Sequence, residues 1–229
     1  MSEPLYLPID HPGLDGVTAA VHTPSRRRGP AVLLTHGAGG DLDGDGLVAL
    51  AEVLADLGCR VVRTNLPHRE AGAKPAPRAD RSVAPYRQIV ERVREQFPRE
   101  SRWVLGGKSY GGRVASMAAA EGLACEALLF YGYPLHPPGK TEQLRVSHWP
   151  SVPVPCLFLQ GDRDTYCDLD LLEQNVTKLP RRATIAVVPG ADHHLEQRAK
   201  HSPDGTARGA AEVIPGLRED LRSWLTSLE

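Results

Sequence analysis

Val104-Leu-Gly-Gly-Lys-Ser-Tyr-Gly-Gly112 decides how the rest of the chain is read. It joins a short run of branched residues to the alanine-rich stretch 112–121, and within it Gly107-Lys108-Ser109-Tyr110-Gly111 fits G-x-S-x-G. A serine hydroxyl is a weak nucleophile until a base takes its proton. A tight strand-to-helix turn lifts it clear of the backbone with a helix N-terminus beneath it. Glycines flank such a turn because neighbouring backbone passes where a Cβ would clash. Gly107-Lys108-Ser109 also resembles the end of a phosphate-binding loop. That pattern, G-x-x-x-x-G-K-[ST], needs glycine at 102, where the chain has Arg102, and its intervening positions read as strand.

A strand before and a helix after Ser109 is one copy of a pattern that recurs. Apolar bursts at 31–35, 59–63, 103–105, 127–131, 156–159 and 184–188 are short, rich in branched or aromatic residues and bounded by Gly, Pro or Asp, as buried parallel strands are. Helical periodicity is predicted over 47–57, 86–97, 112–121, 169–179 and 210–228, with Gly58 and Pro98 as stop signals. Alternating strand and helix predicts an α/β fold, a mostly parallel doubly wound sheet with helices on both faces. Val17 to Val21 is the expected strand of an antiparallel N-terminal edge hairpin. The Pro-rich stretches 67–85 and 134–155 read as long loops at the sheet edge. All 229 residues are expected to form a single domain.

A nucleophilic Ser109 requires an acid and then a histidine, each in a loop after a later strand. Gly161-Asp162-Arg163-Asp164 follows one strand and Gly190-Ala191-Asp192-His193-His194 follows the next. Asp164 is favoured as the acid, with Asp162 capping or bracing the turn, and His193 is favoured over His194. His193 would take the Ser109 proton and return it to the leaving group, while Asp164 fixes the imidazole tautomer. The backbone N–H of Tyr110 is one expected oxyanion donor. The second is expected from His36-Gly37-Ala38-Gly39-Gly40, with Ala38 ahead of Gly39. His36 reads as a structural ring bonded to loop backbone. Gly39, Lys108 and His136 are expected to line the substrate pocket, with His148 a further candidate. His11, His22, His68 and His201 read as surface residues.

Composition narrows the partners. The 27 Lys+Arg against 28 Asp+Glu leave a formal charge of -1, so no basic field favours nucleic acid, and Arg26-Arg27-Arg28 reads as a solvated turn. No apolar run approaches a membrane span and no charged n-region leads into an apolar segment, so a cytoplasmic protein without membrane association is expected. Cys59, Cys125, Cys156 and Cys167 lack metal-ligand or C-x-x-C spacing; the first three read as small buried hydrophobes. Asp41-x-Asp43-x-Asp45-Gly46 with Glu52 satisfies a calcium-loop pattern, but a strand precedes it where an EF-hand needs a helix. Its acids read as the polar N-terminus of the next helix, and no metal or cofactor is expected. The segment 132–155 is too short for a folded cap, so an open site is expected. That suits a small ester or thioester cleaved through an acyl-enzyme by a monomer or homodimer.

Taken together, Leu34-Thr-His-Gly-Ala-Gly-Gly40, Val61-Val-Arg-Thr-Asn-Leu-Pro-His-Arg69, Gly106-Gly-Lys-Ser-Tyr-Gly-Gly-Arg-Val-Ala115, Tyr133-Pro-Leu-His-Pro-Pro-Gly-Lys140 and Glu142-Gln-Leu-Arg145 resemble the α/β-hydrolase superfamily. Within it they are most similar to the small lidless dienelactone-hydrolase-like proteins, particularly the KANL/Tex-like branch. The resemblance implies Ser109 as nucleophile, Asp164 as acid and His193 as base. Lys108 stands where related sequences commonly have histidine or another residue, and dienelactone hydrolases proper use cysteine where this chain has Ser109. Because the branch includes eukaryotic complex subunits, a non-catalytic scaffold acting through protein contacts is the alternative function.

Overall fold

In a computed structural model that describes residues 2–73 and 75–228, eight strands form one sheet. Lys74, within the Pro-rich stretch 67–85, lies outside the described residues. The strands are β1 (Ser2–His11), β2 (Leu14–His22), β3 (Ala31–Thr35), β4 (Val61–Thr64), β5 (Trp103–Lys108), β6 (Ala127–Tyr131), β7 (Cys156–Gly161) and β8 (Ala183–Val188). Their spatial order is β1-β2-β4-β3-β5-β6-β7-β8. In the predicted hairpin β1 pairs antiparallel with β2, which pairs antiparallel with β4, so β2 alone runs against the sheet, and β3 through β8 are mutually parallel.

Parallel strands are covered on both faces, and alternate residues divide between two cores. Leu33, Leu105, Leu128, Phe130 and Phe158 face one helical layer, α3 (Val83–Gln96), α4 (Tyr110–Ala120) and α5 (Leu169–Val176), through Ile89, Val93, Val114, Ala118 and Leu172. Val32, Leu34, Val104, Leu129 and Leu157 face the other, α1 (Asp45–Asp56) and α7 (Arg218–Thr226), through Leu50, Leu54, Leu221 and Trp224. Leu50 and Leu54 are fully buried, so truncating either to alanine removes about 2–5 kcal/mol.

Three expected boundaries shift for local reasons. The strand predicted from 59 begins at Val61, because Cys59 closes α1: its N–H donates to Leu54 O (3.0 Å) and Gly58 takes φ +96°. The stretch 67–85 holds the one-turn α2 (Pro67–Glu70), and Pro85 falls in the first turn of α3, where its missing N–H leaves no bond unmade. The single helix predicted over 210–228 is broken into α6 (Ala210–Val213), a 3-10 turn at Ile214–Leu217 and α7. Pro215 has no N–H to donate and would clash with a carbonyl one turn back.

The segment 132–155 forms no cap. It is pinned to the sheet by ring contacts, Tyr133 against Phe130 (5.1 Å between centroids), Trp149 (5.3 Å) and Phe158 (5.8 Å), and by Trp149 Nε1 donating to the Tyr133 hydroxyl (3.1 Å). The cleft beyond the C-terminal ends of β3, β5, β7 and β8 is left open. Among the described residues, no helix is long and apolar enough to cross a membrane.

Candidate active site

Ser109 sits between the last residue of β5 and the first of α4 with φ 49° and ψ −110°. A side chain in this region is strained, and it persists because the surroundings over-determine it. Its N–H donates to Tyr131 O (2.8 Å) on β6. A Cβ at Gly107, where φ is +149°, would lie 2.1 Å from Thr35 O, and one at Gly111 would lie 2.7 Å from His36 O. Only glycines let the turn close against the end of β3.

Two further loops bring partners to the hydroxyl. His193, beyond β8, places Nε2 2.8 Å from Ser109 Oγ, and its Nδ1 lies 2.7 Å from Asp164 Oδ2. Asp164, beyond β7, has a fully buried side chain. Gln160 Nε2 donates to its Oδ2 (2.6 Å) and the Tyr166 N–H to its Oδ1 (2.7 Å). The Tyr166 ring lies against the His193 imidazole, with centroids 4.4 Å apart. Asp162 braces the two loops, its Oδ1 accepting from the Gly190 N–H (2.7 Å). An acceptor on Nδ1 makes that nitrogen the donor and leaves Nε2 free to accept the serine proton.

The loop after β3 is held by two histidines. His36 Nδ1 donates to Gly37 O (2.7 Å), a tautomer fixed by the Leu66 N–H donating to its Nε2 (3.0 Å). His68 Nε2 lies 3.2 Å from Ala38 O, and its buried Nδ1 has no hydrogen-bond partner among the described residues. Burial lowers the His36 pKa to about 4 and that of His68 as well, so both rings are neutral near pH 7. Within a planar trans peptide the C=O and the next N–H point in opposite directions. Holding Gly37 O and Ala38 O therefore aims the Ala38 and Gly39 N–H groups away from the two rings. Ala38, Gly39, Ser109 and Tyr110 line one cleft of about 950 Å³. As the first residue of α4, Tyr110 has an N–H with no intrahelical acceptor. Its ring is fixed by a hydrogen bond between its hydroxyl and Ser82 Oγ (2.7 Å) and by the His68 edge.

Lys108 lines this cleft. Its Nζ lies 2.7 Å from His194 Nδ1 and 5.1 Å from the Tyr131 ring centroid, and burial lowers its pKa. His136 does not line it. That ring is buried behind the acid loop, with Nδ1 2.9 Å from Pro137 O and Nε2 accepting from the Asp168 N–H (3.0 Å). His148 is also turned away, its Nε2 2.7 Å from Ser116 Oγ on α4. Nor are His22 and His68 surface residues: His22 Nε2 accepts from the buried Arg63 Nε (3.0 Å), and α2 carries His68 inward against His36 and Tyr110. In the calcium-like stretch, Asp41 pairs with Arg69 (2.9 Å), Asp43 pairs with Arg63 (3.1 Å), and Asp45 opens α1. The contacts of Gln160, Tyr166 and His68 carry no local sequence signal, since each depends on chain segments meeting in space.

Solved structures share this arrangement of strands and helices. An a/b serine hydrolase without lid from Xanthomonas campestris is 22% identical, with 98% of this chain and 95% of that one covered and a TM-score of 0.70. A dienelactone hydrolase from Anabaena variabilis is 18% identical over 99% and 97%, with a TM-score of 0.72. An alpha-beta serine hydrolase homologue from Coxiella burnetii is 18% identical over 98% and 96%, with a TM-score of 0.67. At these identities the likeness is one of fold. The alpha/beta hydrolase domain model matches residues 28–214, from the loop before β3 through α6 into the turn at Pro215, and on that match the chain belongs to the alpha/beta hydrolase family.

Proposed function

We propose that the protein is a serine hydrolase that cleaves small esters or thioesters through an acyl-enzyme. The observation carrying this reading is the continuous hydrogen-bond chain from buried Asp164 through His193 to Ser109, opening on a cleft. Ser109 Oγ attacks the acyl carbon while His193 Nε2 takes its proton, and Asp164 stabilises the imidazolium that results. The carbonyl electron pair moves onto oxygen, which accepts hydrogen bonds from the Tyr110 and Ala38 N–H groups, with Gly39 alongside. Collapse breaks the bond to the leaving group, which receives the proton from His193. Water, deprotonated by the same nitrogen, then attacks the acyl-enzyme and releases the acid and Ser109. His36 and His68 keep the donor loop in place, so the hole exists before substrate arrives.

The open cleft suits an acyl group that needs no covering lid. A fluorophosphonate probe tests the reading directly: stoichiometric labelling at Ser109, lost in Ser109→Ala, is expected. Absence of an adduct on the folded native protein would instead favour the scaffold function. On any ester that is turned over, Ser109→Ala is expected to lower kcat at least about a thousandfold.

A further inference from the structure

Four residues after Ser109, one turn along α4, Arg113 lines the cleft, and Arg145 lines it from the loop after β6. Both are half-buried. Among the described residues neither has a carboxylate within 4.0 Å, whereas Arg63, Arg69, Arg102 and Arg208 are all paired. Arg113 Nε is buried with no hydrogen-bond partner among the described residues. Arg145 makes one long contact, Nη1 to Pro134 O at 3.4 Å. Burial first, and the Arg113 charge second, hold the Arg145 pKa below its ordinary value.

A guanidinium does not shed its proton in a protein, so two of them lining one cleft, each in the field of the other, cannot relieve their repulsion by titrating. Partly buried charge without a counter-ion is unfavourable unless something supplies one. The carboxylates that do line the cleft, Asp41, Asp45, Glu196 and Glu212, come from segments around α1, β8 and α6. Asp41 already pairs with Arg69, and Glu212 accepts from the Gly209 N–H (2.9 Å). The Arg113 and Arg145 wall is thus cationic and uncompensated beside the serine, while other walls carry negative charge.

We propose that Arg113 and Arg145 form a subsite for a carboxylate carried by the substrate, so that the preferred ester or thioester is the half-ester of a dicarboxylic acid or an ester of a carboxylate-bearing alcohol. This rests on the serine-hydrolase reading. The planar forks of two arginines suit a carboxylate with two acceptor oxygens, and its negative charge would be steered away from the acidic walls.

The test compares p-nitrophenyl esters of matched length, one ending in a free carboxylate (glutarate half-ester) and one in its methyl ester. A matched pair carrying the carboxylate on the leaving group completes the set. The native enzyme is expected to favour the free carboxylate in at least one pair, by about tenfold or more in kcat/KM. In Arg113→Gln and Arg145→Gln that ratio is expected to fall about ten- to a hundredfold, mainly through KM, with Arg145→Lys restoring part of it. Fluorophosphonate labelling of each variant reports an intact Ser109 site. Glutarate binding to Ser109→Ala, measured by calorimetry with and without Arg113→Gln, reads the subsite without turnover. Glutarate binding that depends on Arg113, in a protein that turns over no ester, would overturn the hydrolase reading alone. An anionic-to-neutral ratio that Arg113→Gln and Arg145→Gln leave unchanged, or glutarate binding indifferent to Arg113→Gln, would overturn the subsite.

Discussion

Replacing Ser109 with glycine should make the protein more stable than replacing it with alanine. Ser109 holds φ 49° and ψ −110°, a region open to glycine and strained for any residue with a Cβ. Such strain amounts to about 1–3 kcal/mol. Both substitutions remove the 2.8 Å bond to His193, and neither loses a cap, because the Ser109 side chain makes no capping hydrogen bond to α4. Their difference therefore isolates the backbone. Against the released strain stands the extra freedom of glycine in the unfolded chain, about 0.4–1 kcal/mol. The net expectation is that Ser109→Gly is more stable than Ser109→Ala by about 1 kcal/mol. For a chain of 229 residues that shifts Tm by about 2–4 °C. Paired thermal melts and urea titrations of the two variants measure it. If Ser109→Gly melts below Ser109→Ala by the amount an unstrained glycine costs, the turn stores no strain and the reasoning fails.

Two other predictions concern the histidines. In His68→Leu, Ala38 O loses its side-chain contact, so kcat should fall about tenfold or more with KM little changed. A matching rise in KM at constant kcat would contradict a role in aiming the donor loop. Stability should fall as pH drops from about 6.5 to 4. His36, His22 and His148 are lowered to about 4, chiefly by burial, while their unfolded values lie near 6.5. In that window the unfolded chain binds protons the folded chain refuses, so acidification favours unfolding, and the full stability is present above pH 6.5. A urea midpoint that stays level from pH 6.5 to 4 would refute it.

What could be read from the chain was whatever is local. The turn at Gly107 to Gly111 is spelled out in five consecutive residues, and the acid and histidine each follow their own strand. The periodicity over 210–228 reads as one helix, and the break at Pro215 departs from it because proline removes a helical bond that periodicity alone does not register. Arg113 and Arg145 are different: 32 positions apart, they come to line one cleft only because the segment 132–155 packs against α4. His68 sits in a stretch whose prolines signal exposed loop, yet one turn of helix carries it inward between His36 and Tyr110. His136 lies on the loop that borders the cleft, but its ring turns to hold the backbone at Asp168. Loop membership is a poor guide to which way a polar ring faces when backbone groups nearby need a partner.

Ser109, Asp164 and His193 arrive from the ends of β5, β7 and β8, with β6 between β5 and β7. None of their mutual hydrogen bonds joins residues fewer than 29 positions apart. No hairpin or single helix can therefore assemble the group, and the strands from β5 to β8 must all be in place first. During refolding, reactivity of Ser109 toward a phosphonate should appear only when the last strand docks, later than helical dichroism and later than burial of Trp103 on β5. The serine is thereby an internal clock for the final step of folding, read by covalent capture instead of by an optical probe.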